Sequence, residues 1–193
     1  PTIKWLSEFG LVKGIANLDL LLGQMSVWHI FQAGFSHFTD VFFRINTLVL
    51  VIYLIYIFEK KSLIHLVFLP ILFLFSQSPS SDLPVVFLSL VVLNEIFLNN
   101  KNISWLFAVS VYIFAIKPTM IWVPLFVFLY GIFVLKSNLK FILAGSFILI
   151  LFFIKNIYCF GFPVFPVQIG DLGISWKPNP DLLKISSQTA IEK

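Results

Sequence analysis

Residues 63–93 read "LIHLVFLPILFLFSQSPSSDLPVVFLSLVVL": two apolar runs around a polar knot, SQSPSSDLP, at 76–84. Neither run alternates in polarity, whereas a membrane barrel strand carries a polar inner face at period two. The stretch therefore reads as two helices joined by a turn. Ser, Pro and Gln are enough to make such a turn, so the acid Asp82 has a purpose of its own. It is either the N-cap of the helix that follows, with Pro84 in the first turn, or part of a site.

The same pattern extends in both directions. Apolar runs fall at about 41–58, 63–75, 83–98, 103–116, 120–135 and 139–154, divided by short polar knots. Several are shorter than the roughly 20 residues that cross a hydrocarbon core of about 30 Å. Flanking Ser, Asn and Lys must complete them, or they end in water-filled recesses inside the protein. With 59% hydrophobic residues, 18% aromatic, 11% charged and a mean hydropathy of +0.98, the chain is not an ordinary soluble domain. The expectation is an all-α, polytopic transmembrane bundle of about six spans with an interfacial helical segment before it. It divides into an extracytoplasmic loop at 1–38, the bundle at 39–157, and a second extracytoplasmic loop with the start of a further segment at 158–193.

Charge excludes some functions and orients the chain. The formal charge of +4 comes from scattered lysines without a basic patch, which gives no footprint for nucleic acid. The single cysteine, Cys159, leaves no intramolecular disulfide framework and no cysteine metal cage. Lys60, Lys61, Lys101, Lys136 and Lys140 occupy alternate knots, "EKKS", "NNKN" and "KSNLK", which the positive-inside rule places in the cytoplasm. The other knots, "SQSPSSD" and "IKPT", then face outward with the N-terminal segment and the long tail. Glu95, at the cytoplasmic end of its helix by this parity, is expected to be a solvated terminus. No internal repeat emerges, and few glycines interrupt the runs, which disfavours a secondary transporter.

Trp5 and Trp28 suit the headgroup level of an interfacial segment. His29, His37 and His65 have no metal-ligand spacing. His29 is read as a substrate contact or a packing residue. The tail "CFGFPVFPVQIGDLGISWKPNPD" carries Gly and Pro too often for a regular span. Its Phe160, Phe162, Phe165 and Trp176 can stack on sugars or anchor at the interface, and Asn156 and Tyr158 are candidate hydroxyl-binding groups.

Three stretches carry a resemblance. "IKWLSEFGLVKGIANLDLLLG", "SPSSDLPVVFLSLVV" and "KNIYCFGFPVFP" followed by "ISWKP" resemble, in order, the first extracytoplasmic loop, the Ser/Pro/Asp loop and the late loop signature of a poorly characterised bacterial membrane family. That family is similar to the GT-C glycosyltransferases of the dolichyl-phosphate-mannose and lipid A aminoarabinose type. The resemblance implies a multi-pass protein of the bacterial inner (plasma) membrane. It would move sugar from a polyprenyl-phosphate donor to a glycan or lipid acceptor on the outer face. Asp82, opening a helix from an outward loop, and Lys117, in "FAIKPTMIWVPLFVFLY", match the wider group.

Such a reaction needs a carboxylate to take the attacking hydroxyl's proton and cations to offset charge on the departing phosphate. Asp82 is the acid, in a secondary role, and Lys117, Lys155 and Arg44 are the phosphate-binding candidates. Each of these cations has snorkelling to the headgroups as its simpler reading. Some enzymes of the superfamily use a divalent cation, but nothing in this sequence recommends one. Where the family pattern shows a His and then an Arg, this chain has Asp19 and Leu21. The principal base would lie upstream of residue 1, so the chain is expected to be an inactive fragment, with both edges fragment edges. The alternatives are a membrane transporter or lipid-linked-glycan flippase, and an O-antigen-polymerase-like protein.

Overall fold

The computed structural model describes residues 2–18, 22, 25–36, 44–165, 170, 172–179, 181 and 183. Asp19, Leu21, His37 and the tail beyond 183 lie outside the described residues. Among those described, the regular structure is helical, with no strand.

Each expected apolar run is helical over most of its described residues. The helices are α1 (Thr2–Phe9), α2 (Val27–Ser36), α3 (Ile45–Lys60), α4 (Leu69–Ser76), α5 (Asp82–Phe97), α6 (Ile103–Ile116), α7 (Trp122–Leu129) and α8 (Ile142–Phe160). Short tight turns lengthen several of them: Leu63–Phe68 leads into α4, Pro118–Met120 into α7 and Leu139–Phe141 into α8, while a π-turn at Tyr130–Val134 extends α7. One helical stretch, Leu139–Phe160, is long and apolar enough to cross a membrane. At 1.5 Å per residue it measures about 33 Å. Apolar helices of 10–17 residues run over Leu63–Ser76, Ile103–Ile116 and Pro118–Val134.

Local chemistry sets the helix ends. Asn102 caps α6 by accepting the Trp105 N–H at 3.2 Å. Gly161 ends α8 in the left-handed region, φ 80°, and its N–H returns to the Ile157 carbonyl. Asn99, φ 55°, reverses the chain after α5, so that the Asn100 N–H reaches the Glu95 carbonyl at 2.9 Å.

α6 is the central helix, packed on α8, α7 and α5. Its closest approach to α8 is at Gly145, where an added Cβ would stand 2.5 Å from the Phe107 ring. Leu83, Val92, Leu106, Ile113 and Val127 form the heart of the largest core cluster. A second cluster joins Leu6, Ile15, Met25 and Ala33 to Cys159 and Phe160, and so docks the N-terminal segment on the end of α8. Gln32, Asn46, Ser110, Asn156 and Glu95 are buried, while Leu48, Ile55, Phe58, Phe133 and Phe147 are exposed.

Glu95 departs from the expected solvated terminus. It is 4% exposed, with Lys60 Nζ at 3.1 Å, Tyr56 Oη at 3.0 Å and Asn100 Nδ2 at 2.5 Å. The turn at Asn99 folds Asn100 back over the carboxylate, and the end of α3 supplies the other two partners. Asn94 donates to Tyr56 Oη at 2.7 Å, and Tyr53 Oη meets His65 Nδ1 at the same distance, so α3, α5 and the turn before α4 are joined by polar contacts.

Candidate functional site

α5 begins in, α6 ends in, and α8 ends in one region, and each brings a charged or amide side chain to it. Asp82 is the first residue of α5 and follows the N-cap position, which Ser81 occupies. Ser80 Oγ takes the Asp82 N–H at 3.0 Å and donates to Asp82 Oδ2 at 2.8 Å. The carboxylate is thereby left to Lys117, whose Nζ is 2.6 Å from Oδ1. The simple cap reading of Asp82 is therefore replaced by an ion pair between α5 and α6. Hydrogen bonding from Lys117 holds the Asp82 carboxyl below the usual carboxylate range, against the upward pull of partial burial, and Ser80 adds to the lowering.

Lys117 is where it is because Pro118 follows it. The residue before a proline is pushed out of the α region, and Lys117 is extended, φ −141° and ψ 101°. α6 stops there, with the Lys117 N–H closing on the Ile113 carbonyl. Loop 77–81 is fixed independently: Asn46 Nδ2 donates to the Ser78 and Ser80 carbonyls, both at 2.8 Å, while Asn46 Oδ1 takes the Trp28 indole N–H at 2.9 Å.

Lys155 lies one turn before the end of α8. Its ammonium donates to the Met25 carbonyl at 3.1 Å and stands 5.3 Å from the ring centroids of Phe152 and of Phe160. Next to it, Asn156 is buried and donates to the Pro163 carbonyl at 2.7 Å. Ser26 Oγ donates to the Ile116 carbonyl at 2.7 Å and pins the start of α2 to the end of α6.

These groups surround one cavity of about 580 Å³. Its polar wall is Ser26, Ser81, Lys117, Thr119, Lys155 and Asn156, with Asp82 against Lys117 behind it. The remaining wall is apolar and includes Phe114, Phe152, Phe160 and Phe165. A second hollow of about 390 Å³ shares Phe114, Ile121 and Val164 with the first and continues over Phe107, Phe128 and Phe153. A pair of ammonium groups thus opens at one end of an apolar trough. This arrangement suits an anion attached to a long apolar chain.

Of the sequence-derived candidates, Asp82, Lys117, Lys155 and Asn156 come together here. Arg44 is exposed at the start of α3, outside the cavity wall. Tyr158 points away, on the exposed side of α8. His29 is half-buried beside Ser26, whose N–H faces Nδ1 at 3.4 Å. Burial lowers its pKa, with Lys155 adding to the effect. Trp176 is a staple: its indole N–H meets the Ile157 carbonyl at 3.3 Å, its carbonyl takes Asn17 Nδ2 at 2.7 Å, and its ring carries Lys13 Nζ at 3.6 Å. Ser26, Ser81 and Thr119 are the site residues that sequence reasoning missed. Only their position beside Met25, Asp82 and Lys117 could have signalled them. Among the described residues, no group of three or more His, Cys, Asp or Glu is placed to hold a metal ion.

No curated protein and no solved structure matches the chain. The family model of a domain of unknown function, DUF8201, matches residues 1–193, and the chain belongs to that family.

Proposed function

We propose that this protein is a multi-pass membrane protein that binds a polyprenyl-phosphate-linked sugar, and that it is part of a GT-C-like glycosyltransferase of the bacterial inner membrane. The observation that carries the reading is the cavity in which Lys117 and Lys155 face the same space and the apolar trough leads away from them. Lysines act there as point charges for a phosphate, and the trough accepts the isoprenoid chain. The reversed polarity of the bundle, with amides inside and large apolar side chains outside, supports burial in lipid. α3, α5 and α6, at 14–16 residues, are shorter than a full span, and the turns and knots at their ends complete the crossing.

In glycosyl transfer, the bond between the anomeric carbon and the phosphate oxygen breaks as the acceptor oxygen bonds to that carbon. A base takes the acceptor's proton, and the lipid phosphate leaves with a second negative charge. Lys155 is placed to meet that charge, and Lys117 keeps the Asp82 carboxylate from repelling it. Asp82 is hydrogen-bonded to Lys117 at 2.6 Å, so its part is to hold that lysine. The test is to express the full-length protein in membranes, supply radiolabelled polyprenyl-phosphate sugars and compare wild type with Lys155→Ala and Lys117→Ala. Transfer by wild type that drops at least tenfold in each variant supports the proposal. Equal transfer in all three removes these residues from the site, and no transfer from any donor removes the enzyme reading.

A further inference from the structure

The cavity has two lysines, yet among the described residues its formal charge at neutral pH is a single positive unit. Lys117 is cancelled by Asp82 at 2.6 Å. Among the described residues, Lys155 has the Met25 carbonyl and two aromatic rings for company. Of the other described titratable groups nearby, His29 has its pKa lowered by burial, which favours its neutral form, and Cys159 is a buried free thiol in the adjoining core. Lys60 and Glu95 pair with each other at the opposite ends of α3 and α5. One net positive charge within apolar walls suits a ligand with one negative charge, because a second would enter an apolar space without a counter-ion.

Phosphate esters differ in just this respect. A phosphodiester carries one negative charge throughout the neutral range, whereas a phosphomonoester, with its second pKa near 6, approaches two. Building on the function proposed above, we infer that this cavity selects a lipid phosphodiester over a lipid phosphomonoester, and that Asp82 sets the preference by cancelling the charge of Lys117. The intact glycosyl-linked carrier is a diester and the spent carrier is a monoester. The site therefore holds the loaded lipid and releases the spent one. Asp82 is a specificity-determining residue in this account, with no contact to the reacting atoms.

The experiment uses the protein in lipid nanodiscs and two probes with the same chain, farnesyl methyl phosphate and farnesyl monophosphate, with dissociation constants measured at pH 7. Wild type is expected to bind the diester more tightly. Asp82→Asn is expected to shift the ratio of affinities toward the monoester by about tenfold, the scale of one added charge at close range where water screens it, as it does at these partly exposed side chains. Asp82→Glu, which keeps the charge, is expected to hold the ratio near that of wild type. A variant-free arm titrates wild type from pH 5 to 7: monoester affinity falls as its second proton leaves, while diester affinity stays level. If both lipids bind with equal affinity in wild type, or the ratio is the same in Asp82→Asn, the charge selection is overturned and the lipid-binding function stands. If neither lipid binds, or binding is untouched by Lys155→Ala and Lys117→Ala, both are overturned.

Discussion

At the scale of the residue, the ion pair between Asp82 and Lys117 is a matter of function more than of stability. Both side chains are over a third exposed, and pairs of that kind contribute about 0–1 kcal/mol. Asp82→Asn is therefore expected to leave the melting temperature in detergent within a few degrees of wild type. The sign of its pH dependence follows from the lowered carboxyl pKa. Whatever the pair contributes is present above the ordinary aspartate pKa of about 3.9 and is lost as pH falls through the lower folded value. The difference between wild type and Asp82→Asn should be constant from pH 5 to 8 and close in more acidic buffer. Melting curves across that range check it, and a difference that grows on acidification contradicts it. Lys117 was legible in sequence as the lysine that ends one apolar run before another, and Asp82 because a turn did not need it. Lys155 and Asn156 looked like the polar end of a run at 154, yet α8 continues to Phe160 with both turned inward. A hydropathy reading sees the polarity of a side chain and not the direction in which it points.

At the scale of the element, helix contacts rest on one small residue and one polar cluster. Gly145 has no room for a side chain against Phe107 and Val111, so Gly145→Val is expected to cost about 1–3 kcal/mol by forcing α6 and α8 apart. Glu95 joins α3 to the turn after α5, and Glu95→Ala strips partners from Tyr56 and Asn100, at an expected cost of about 1–3 kcal/mol. Thermal unfolding followed by tryptophan fluorescence measures both. An unchanged transition for Gly145→Val would show that the packing of α6 on α8 accommodates the added side chain. The helices themselves were legible, since 103–116 is helical over its full run and 83–98 is displaced by only one residue. Glu95 was not, because its burial depends on where α3 ends relative to α5. That relation is tertiary and leaves no periodic trace. Arg44, Tyr158 and Trp176 share the lesson: their chemistry suits a sugar phosphate, but the backbone carries each one away from the cavity wall.

At the scale of the whole molecule, the alternating course of the helices brings loop 77–81, the break at 117–121 and the end of α8 to one end of the bundle, with the lysine-rich turns at the other. Cys159 is the single cysteine and is buried, so a Cys159→Ala background allows each end to be labelled separately. In a multi-pass arrangement, Ser78→Cys reacts with an impermeant maleimide on intact cells and Asn138→Cys reacts only after permeabilisation. Both reacting from the same side would contradict the six-span topology. The most direct measurement of the central claim is photocrosslinking of the membrane-embedded protein with a polyprenyl phosphodiester bearing a diazirine near its head. The account predicts adducts concentrated on the peptides holding Phe114, Ile121 and Val164, and competed away by unlabelled lipid phosphodiester. Adducts spread over outward apolar residues such as Leu48, Ile55 and Phe147, indifferent to that competitor, would contradict it.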